Sequence, residues 1–173
     1  DGKVVRYAFL TTHYKKPINI SDDLFEQARA GVERINNFIR NLLLVDIDLP
    51  ERAEFGRIID LANRKFEDAM DDDFDTSGAF ASVFELIKDV NKEIERAGIG
   101  RSDADKILVF LKRVDSVLGV MTFEKEKIPE EVEKLVRARD EARSRGDFDE
   151  ADALRDKIEA LGFVVEDTRD GSR

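Results

Sequence analysis

The chain has 173 residues, of which 42% are hydrophobic and 39% charged, and its formal net charge is −10. This length is typical of one domain, or of one domain with a small second unit. No stretch contains the run of about 20 apolar residues that a membrane span needs. Cysteine is absent and His13 is the single histidine, which excludes disulfides, thiolate catalysis and zinc sites built from these residues. We expect a structural role for His13, because no nucleophile or second metal ligand accompanies it.

The acidic balance argues against nonspecific nucleic-acid binding, which needs many cations to neutralise phosphates. We therefore expect neither DNA nor a membrane as a partner, although a local basic patch remains compatible with this charge. The chain opens on Asp-Gly-Lys-Val, without an initiator methionine or an export signal. These features predict a fragment or processed form of a longer protein, cytoplasmic by default.

Apolar residues recur at helical spacing through the first 121 residues. A short helix is predicted over Val4 to Thr12, and Ser21 is expected to cap a second helix that ends near Leu44. Four long helices with short connections predict an antiparallel helical bundle. The three helices that complete it are predicted from about Glu51 to Met70, from a cap at Asp75 or Thr76 to Gly98, and from a cap at Ser102 to Gly119.

The chain after residue 121 has a different pattern. Residues 122–127, TFEKEK, lack apolar periodicity and are the best candidate for a linker. A helix should start at Pro129 and end before Gly146, and a second helix should end at Gly162. The apolar run Phe163-Val164-Val165 predicts a strand. The expected fold is mainly α, with the antiparallel helical bundle in residues 1–121, a linker in residues 122–128, and a small α/β (helix-helix-strand) appendage in residues 129–173.

The acidic run before Thr76 resembles the start of a calcium-binding loop, since Asp71-x-Asp73-x-Asp75 has the right spacing. However, Thr76 stands where the turn needs glycine, and Ser82 stands where a bidentate glutamate is required. We interpret the run as the end of one helix followed by the N-cap of the next.

The corner between the two helices of the appendage is the best candidate for a binding function. A helix–turn–helix would bring Arg143, Phe148 and Asp152 together. Arginine and phenylalanine offer stacking planes for splayed bases, and a carboxylate accepts hydrogen bonds from the Watson–Crick edge of guanine. The residues alone leave alternatives open: Phe148 would pack in the core, and Arg139, Arg143 and Arg145 would complement the helix dipole and pair with nearby acids.

The segment VEKLVRARDEARSRGDFDEADALRDKIEALGFVVEDTRDG closely resembles the C-terminal anticodon-binding part of cysteinyl-tRNA synthetases. The stretches RYAFLTTHYKKPINIS and FEDAMDDDFDTSGAFASVFELI resemble the helical region that precedes it in that family. There the family's Asp-Asp-Phe-Asn-Thr motif has Asp75 in place of Asn, and either residue caps a helix well. The family's terminal aromatic residue is missing, since the chain ends Gly171-Ser172-Arg173.

This resemblance implies that Arg143, Phe148, Asp152 and Asp167 bind the anticodon of tRNA(Cys). Arg139 and Arg145 would contact the tRNA backbone. By the same resemblance, residues 1–121 would contact the tRNA stem and dock on the protein's own catalytic domain. The intact enzyme would use ATP to attach cysteine to tRNA(Cys).

The adenylate-binding signatures of the family, HIGH and KMSKS, do not occur, and neither does a set of zinc ligands. We therefore expect no catalytic residues, metal or cofactor in this chain and no activity of the chain alone. ATP and zinc would belong to the catalytic part. Two alternatives are a stand-alone acidic helical protein-interaction module, and a fragment of the related ligase that joins cysteine to an amino sugar. The anticodon-reading corner argues against the second.

Overall fold

A computed structural model describes residues 1–12, 14–15, 17–124, 129–163, 165, 167–168 and 171–172. His13 and residues 125–128 of the expected linker lie outside the described residues. The chain divides into two compact units, Asp1–Lys125 and Glu126–Arg173, and it is mainly helical, as expected. Within the described ranges, no helix is both long enough and apolar enough to cross a membrane.

Five helices make up the first unit. The hydroxyl oxygen of Ser21 accepts from the backbone N–H of Leu24 at 3.3 Å, and the carboxylate of Asp75 accepts from the N–H of Gly78 at 3.0 Å. Both residues therefore cap helices as predicted, because each satisfies an N–H that the first turn leaves without a partner. The helices are α1 (Gly2–Leu10), α2 (Asp22–Leu43), α3 (Ala53–Asp71), α4 (Thr76–Ala97) and α5 (Arg101–Leu118).

The predicted cap of α5 at Ser102 is wrong, since the N-cap is Gly100. A side chain at Gly100 would lie 2.8 Å from the carbonyl oxygen of Leu49, so the close approach of the preceding loop requires glycine there. Ser102 lies inside the helix, and its hydroxyl donates to Glu51 at 2.5 Å.

One hydrophobic core joins all five helices of the first unit. Its largest members with almost no solvent exposure come from α2, α3, α4 and α5, so the apolar face of each long helix meets at the centre. The extensive contact between α3 and α4 follows from their short connection. These core residues are Ile35, Ile39, Phe55, Leu86, Ile87, Ile107, Leu111 and Leu118.

The connection between α3 and α4 contains two residues in the left-handed region, Asp73 and Phe74, each with φ of 55°. The carboxylate of Asp73 is held there by the Tyr14 hydroxyl, which donates at 2.7 Å, and by an ion pair with Lys15. The acidic run thus forms a helix end, a connection and the cap at Asp75, which is the arrangement interpreted from the sequence.

The second unit contains α6 (Glu130–Ser144), α7 (Phe148–Ala160) and two short strands, β1 (Asp167–Thr168) and β2 (Gly171–Ser172). The strands pair antiparallel, with Asp167 opposite Ser172. α6 and α7 pack against each other, and β2 lies beside α6. Pro129, which was predicted to occupy the first helical position, is instead the N-cap, and α6 begins one residue later at Glu130.

The helix-helix-strand appendage is not found as predicted, because Phe163 and Val165 belong to neither strand. Val164 lies outside the described residues. The N–H of Phe163 donates to the carbonyl of Ile158 at 3.2 Å and so completes the end of α7. Val165 is buried in a small core with Val132 and Ile158. Phe163 therefore contributes to the end of α7 and Val165 to packing.

Candidate nucleic-acid interface

The corner between α6 and α7 is held by main-chain hydrogen bonds. Gly146, with φ of 78°, donates to the carbonyl of Arg143 at 3.0 Å, and the N–H of Asp147 donates to the carbonyl of Ala142 at 2.9 Å. These two bonds form a Schellman motif, which needs a left-handed residue best supplied by glycine. Asp147 then caps α7 by accepting from the N–H of Glu150 at 3.1 Å. Three residues thus reverse the chain.

Phe148 is the first residue of α7, and 65% of it is exposed. Asp152 follows four residues later and is also exposed. Residues at this spacing lie on the same face of a helix, so an aromatic ring and a carboxylate share one solvent-facing surface. The core-packing interpretation of Phe148 is therefore wrong.

The two arginines at the corner differ in their surroundings. Arg143 occupies the last turn of α6 and is exposed. Arg145 is exposed and pairs with Glu150, with Nη2 and Oε2 2.9 Å apart. The sequence did not point to Glu150, because helical spacing indicates partners within one helix and not across a chain reversal.

Arg139 does not lie on the surface with Arg143 and Arg145, since only 3% of it is exposed. It follows Val132 and Leu135 at helical spacing and precedes the buried Ala142 by three residues, so it shares the inward face of α6. The expectation that Arg139 contacts a tRNA backbone does not fit this burial.

Asp167 lies in β1, next to β2, which runs beside α6. Its backbone is described, but its side chain lies outside the described part of the structure. The structure thus places Arg143, Phe148 and Asp152 at one end of the α6–α7 hairpin and places Asp167 in the small strand pair.

Carboxylates dominate the start of α7, where Asp149 and Glu150 occupy the first turn after the Asp147 cap. Negative charge there is stabilised by the helix dipole and repels a phosphate group. The corner is therefore suited to ligands that donate hydrogen bonds and offer flat faces, such as nucleobases. In the described part of the chain, no group of three or more His, Cys, Asp or Glu side chains could hold a metal ion.

Two parts of the chain match known protein domains. Residues 65–123 match the DALR domain, and residues 125–172 match the cysteinyl-tRNA ligase anticodon binding domain. The chain is similar over its full length to proteins named cysteine–tRNA ligase from Exiguobacterium sibiricum (37% identical), Halalkalibacterium halodurans (34%) and Lysinibacillus sphaericus (35%). It spans 38% of the length of each of these relatives. The chain belongs to the cysteine–tRNA ligase family and corresponds to the C-terminal region that carries the DALR and anticodon-binding domains.

Proposed function

We propose that the chain binds tRNA(Cys) and that residues 129–173 recognise its anticodon. The observation that carries this proposal is the exposed ring of Phe148 at a corner fixed by main-chain bonds, within the residues that match an anticodon-binding domain. A large aromatic ring held in solvent has no packing role within its own unit. It offers the flat surface on which an unstacked base binds.

Five side chains have distinct roles in this proposal. Phe148 stacks on a base, and Arg143 supplies a second planar surface with positive charge. Asp152 accepts hydrogen bonds from amino or imino groups of a base, and Asp167 does so from the strand pair. Arg145 contacts the RNA backbone. Arg139 is left out of this set because it is buried.

The proposal extends to the intact protein. It would be a cytoplasmic cysteine–tRNA ligase that uses ATP, and its catalytic domain, with ATP and zinc, would lie outside this chain. Residues 1–121 would contact the tRNA stem and dock on that domain, with residues 122–128 as the linker. Residues 129–173 would form a small α/β unit in which β1 and β2 complete the base-binding surface. The chain alone would not activate cysteine, so it should give no ATP–pyrophosphate exchange above background.

Binding of the tRNA(Cys) anticodon stem–loop to the full chain tests the proposal. Asp152→Ala should weaken cognate binding by roughly 1–3 kcal/mol, as expected for a lost base contact. The same substitution should have little effect on a stem–loop in which the recognised base is replaced, so that discrimination is relaxed.

Asp156→Ala is the matched control, because Asp156 is an exposed carboxylate one turn further along α7. It changes the net charge equally and should leave discrimination unchanged. If both variants shift the affinities for cognate and altered RNA by the same amount, the effect is only electrostatic and the corner does not read a base.

A further inference from the structure

A concave surface lies in the first unit, between α2 and α4. The groove has a volume of about 400 Å³, within the range of ligand-binding clefts. Its floor is apolar, formed by the buried Phe38 and Ile87. Its walls are polar and carry Glu33, Arg34, Asn37, Asn41 and Asn91.

Three exposed carboxamides converge on this groove, from Asn37 and Asn41 on α2 and from Asn91 on α4. In the described part of the chain, their side chains make no hydrogen bond to protein groups. Each carboxamide offers both donors and an acceptor. A partner that pairs with the donors and with the acceptor of each carboxamide must itself present acceptors and donors in alternation.

The spacing of Asn37 and Asn41 matches an extended polypeptide. Residues four apart on a helix are about 6 Å apart along its axis. In an extended chain, alternate peptide groups lie about 6.6 Å apart along the strand. A strand lying along α2 would therefore present an N–H and a C=O to each of the two carboxamides, while alternate side chains face the apolar floor.

A fixed positive charge lies on the same wall. The guanidinium of Arg34 lies over the ring of Phe84 at 5.2 Å from its centroid. This contact with the ring restrains the guanidinium, whose N–H groups can bind a carboxylate in bidentate fashion. Glu33 is the one carboxylate of the groove lining, so the lining has no net positive charge.

We propose that the groove between α2 and α4 binds an extended polypeptide segment through its backbone, with an acidic side chain of that segment on Arg34. This goes beyond the proposed RNA binding. A row of phosphates fits the groove less well, because phosphates only accept hydrogen bonds and would leave the carboxamide oxygens without a donor from the ligand.

The test uses the full chain and two terminally blocked hexapeptides, in which Thr and Val alternate and a glutamate occupies the first or the last position. Nuclear magnetic resonance should show concentration-dependent shifts of the side-chain amide signals of Asn37, Asn41 and Asn91. A peptide N-methylated at alternate nitrogens should bind more weakly, since it lacks the required donors. Asn41→Ala should weaken binding about fivefold, the effect of a typical net hydrogen bond.

Arg34→Gln should remove the preference for the acidic peptides over their glutamine counterparts, whereas Arg29→Gln, on the same helix outside the groove lining, should retain it. Exposed helix positions tolerate these substitutions, so loss of folding does not obscure the result.

The proposal is overturned if the three amide signals stay unchanged at millimolar peptide or if the N-methylated peptide binds equally well. It is also overturned if Asn41→Ala weakens tRNA(Cys) binding and not peptide binding, because the groove is then an RNA contact. The anticodon stem–loop assay is independent of these outcomes, so failure of one proposal is distinguishable from failure of the other.

Discussion

Arg52 and Glu93 form an ion pair, 2.7 Å between Nη2 and Oε2, that joins the start of α3 to the last turns of α4. Both side chains are mostly buried, with 19% and 17% exposed. The Arg52 guanidinium also donates to the carbonyl oxygens of Glu93 and Gly98. The backbone N–H of Arg52 donates to the buried carboxylate of Asp103 at 3.1 Å. One arginine thus connects three helices at the same end of the first unit.

The hydrogen bond from Arg52 lowers the pKa of Glu93 below its ordinary value, with a smaller contribution from Arg96. A lowered pKa in the folded state stabilises the protein above the unfolded pKa, about 4.3, and this stabilisation is lost as the pH falls through the folded pKa. Glu93→Gln should therefore be less stable than wild type near neutral pH, and the difference should disappear in acid. Urea unfolding at a series of pH values measures this; Glu95→Gln, an exposed position, is the control. An equal pH dependence for both variants would contradict the assignment.

Two glycines within helices should respond in opposite ways to alanine. At Gly31 an added Cβ would lie 2.6 Å from the Tyr7 hydroxyl oxygen, and the buried Tyr7 ring has little room because it contacts Phe80 with centroids 4.5 Å apart. Overpacking of this kind costs about 1–3 kcal/mol, so Gly31→Ala should lower the melting temperature. At Gly56 an added Cβ meets nothing within 4 Å, and alanine should stabilise the helix by about 0.5–1 kcal/mol. Thermal unfolding of both variants measures the two effects. A shift of both melting temperatures in the same direction would contradict the packing.

Phe148→Ala should weaken RNA binding and leave the stability of the fold nearly unchanged. The ring is 65% exposed, so its removal should change the free energy of unfolding by less than about 0.5 kcal/mol. Loss of one base-stacking contact should weaken binding of the anticodon stem–loop by about 1–3 kcal/mol. Phe148→Trp keeps a planar surface and should retain affinity. Full affinity of the alanine variant would show that the ring does not stack on RNA.

Hydrogen exchange should distinguish the two units. The second unit has small cores, one of Val132, Ile158 and Val165 and one of Ala142, Ala151 and Leu154, whereas one large core joins the five helices of the first. Amide protection follows local stability. We expect amides in α6 and α7 to exchange before those in α4 and α5, as measured by mass spectrometry. Earlier exchange in α4 would mean that the smaller unit is the more stable one.

Local features were predictable from the sequence, and features that depend on distant residues were not. Apolar periodicity located the helices, and the caps at Ser21 and Asp75 followed from side chains that bond within their own turn. The cap of α5 was missed because the need for Gly100 comes from Leu49, some fifty residues earlier in the chain. The strand was misplaced because Val165 packs on helices instead of pairing, which an apolar run alone does not reveal.

In the candidate site, too, local features were predictable and features that depend on more distant residues were not. The corner at Gly146 followed from the glycine and the neighbouring acids, and the shared face of Phe148 and Asp152 from their spacing. The burial of Arg139 was not expected, because a charged side chain normally lies on the surface, although its spacing from Val132 and Ala142 places it on the inward face of α6. The partner of Arg145 lies across the chain reversal and was missed for that reason.

The chain reversal at Gly146 affects which substitutions the α6–α7 corner can accept. It depends on hydrogen bonds to the carbonyls of Arg143 and Ala142, and every residue contributes a carbonyl whatever its side chain. The other exposed side chains at the corner can therefore be exchanged while the loop keeps its shape, provided that Gly146 and the Asp147 cap remain. Because main-chain bonds fix the loop and exposed side chains would contact a ligand, the corner is a starting point for redesign. New ligand preferences can be selected from libraries of variants at a few exposed positions.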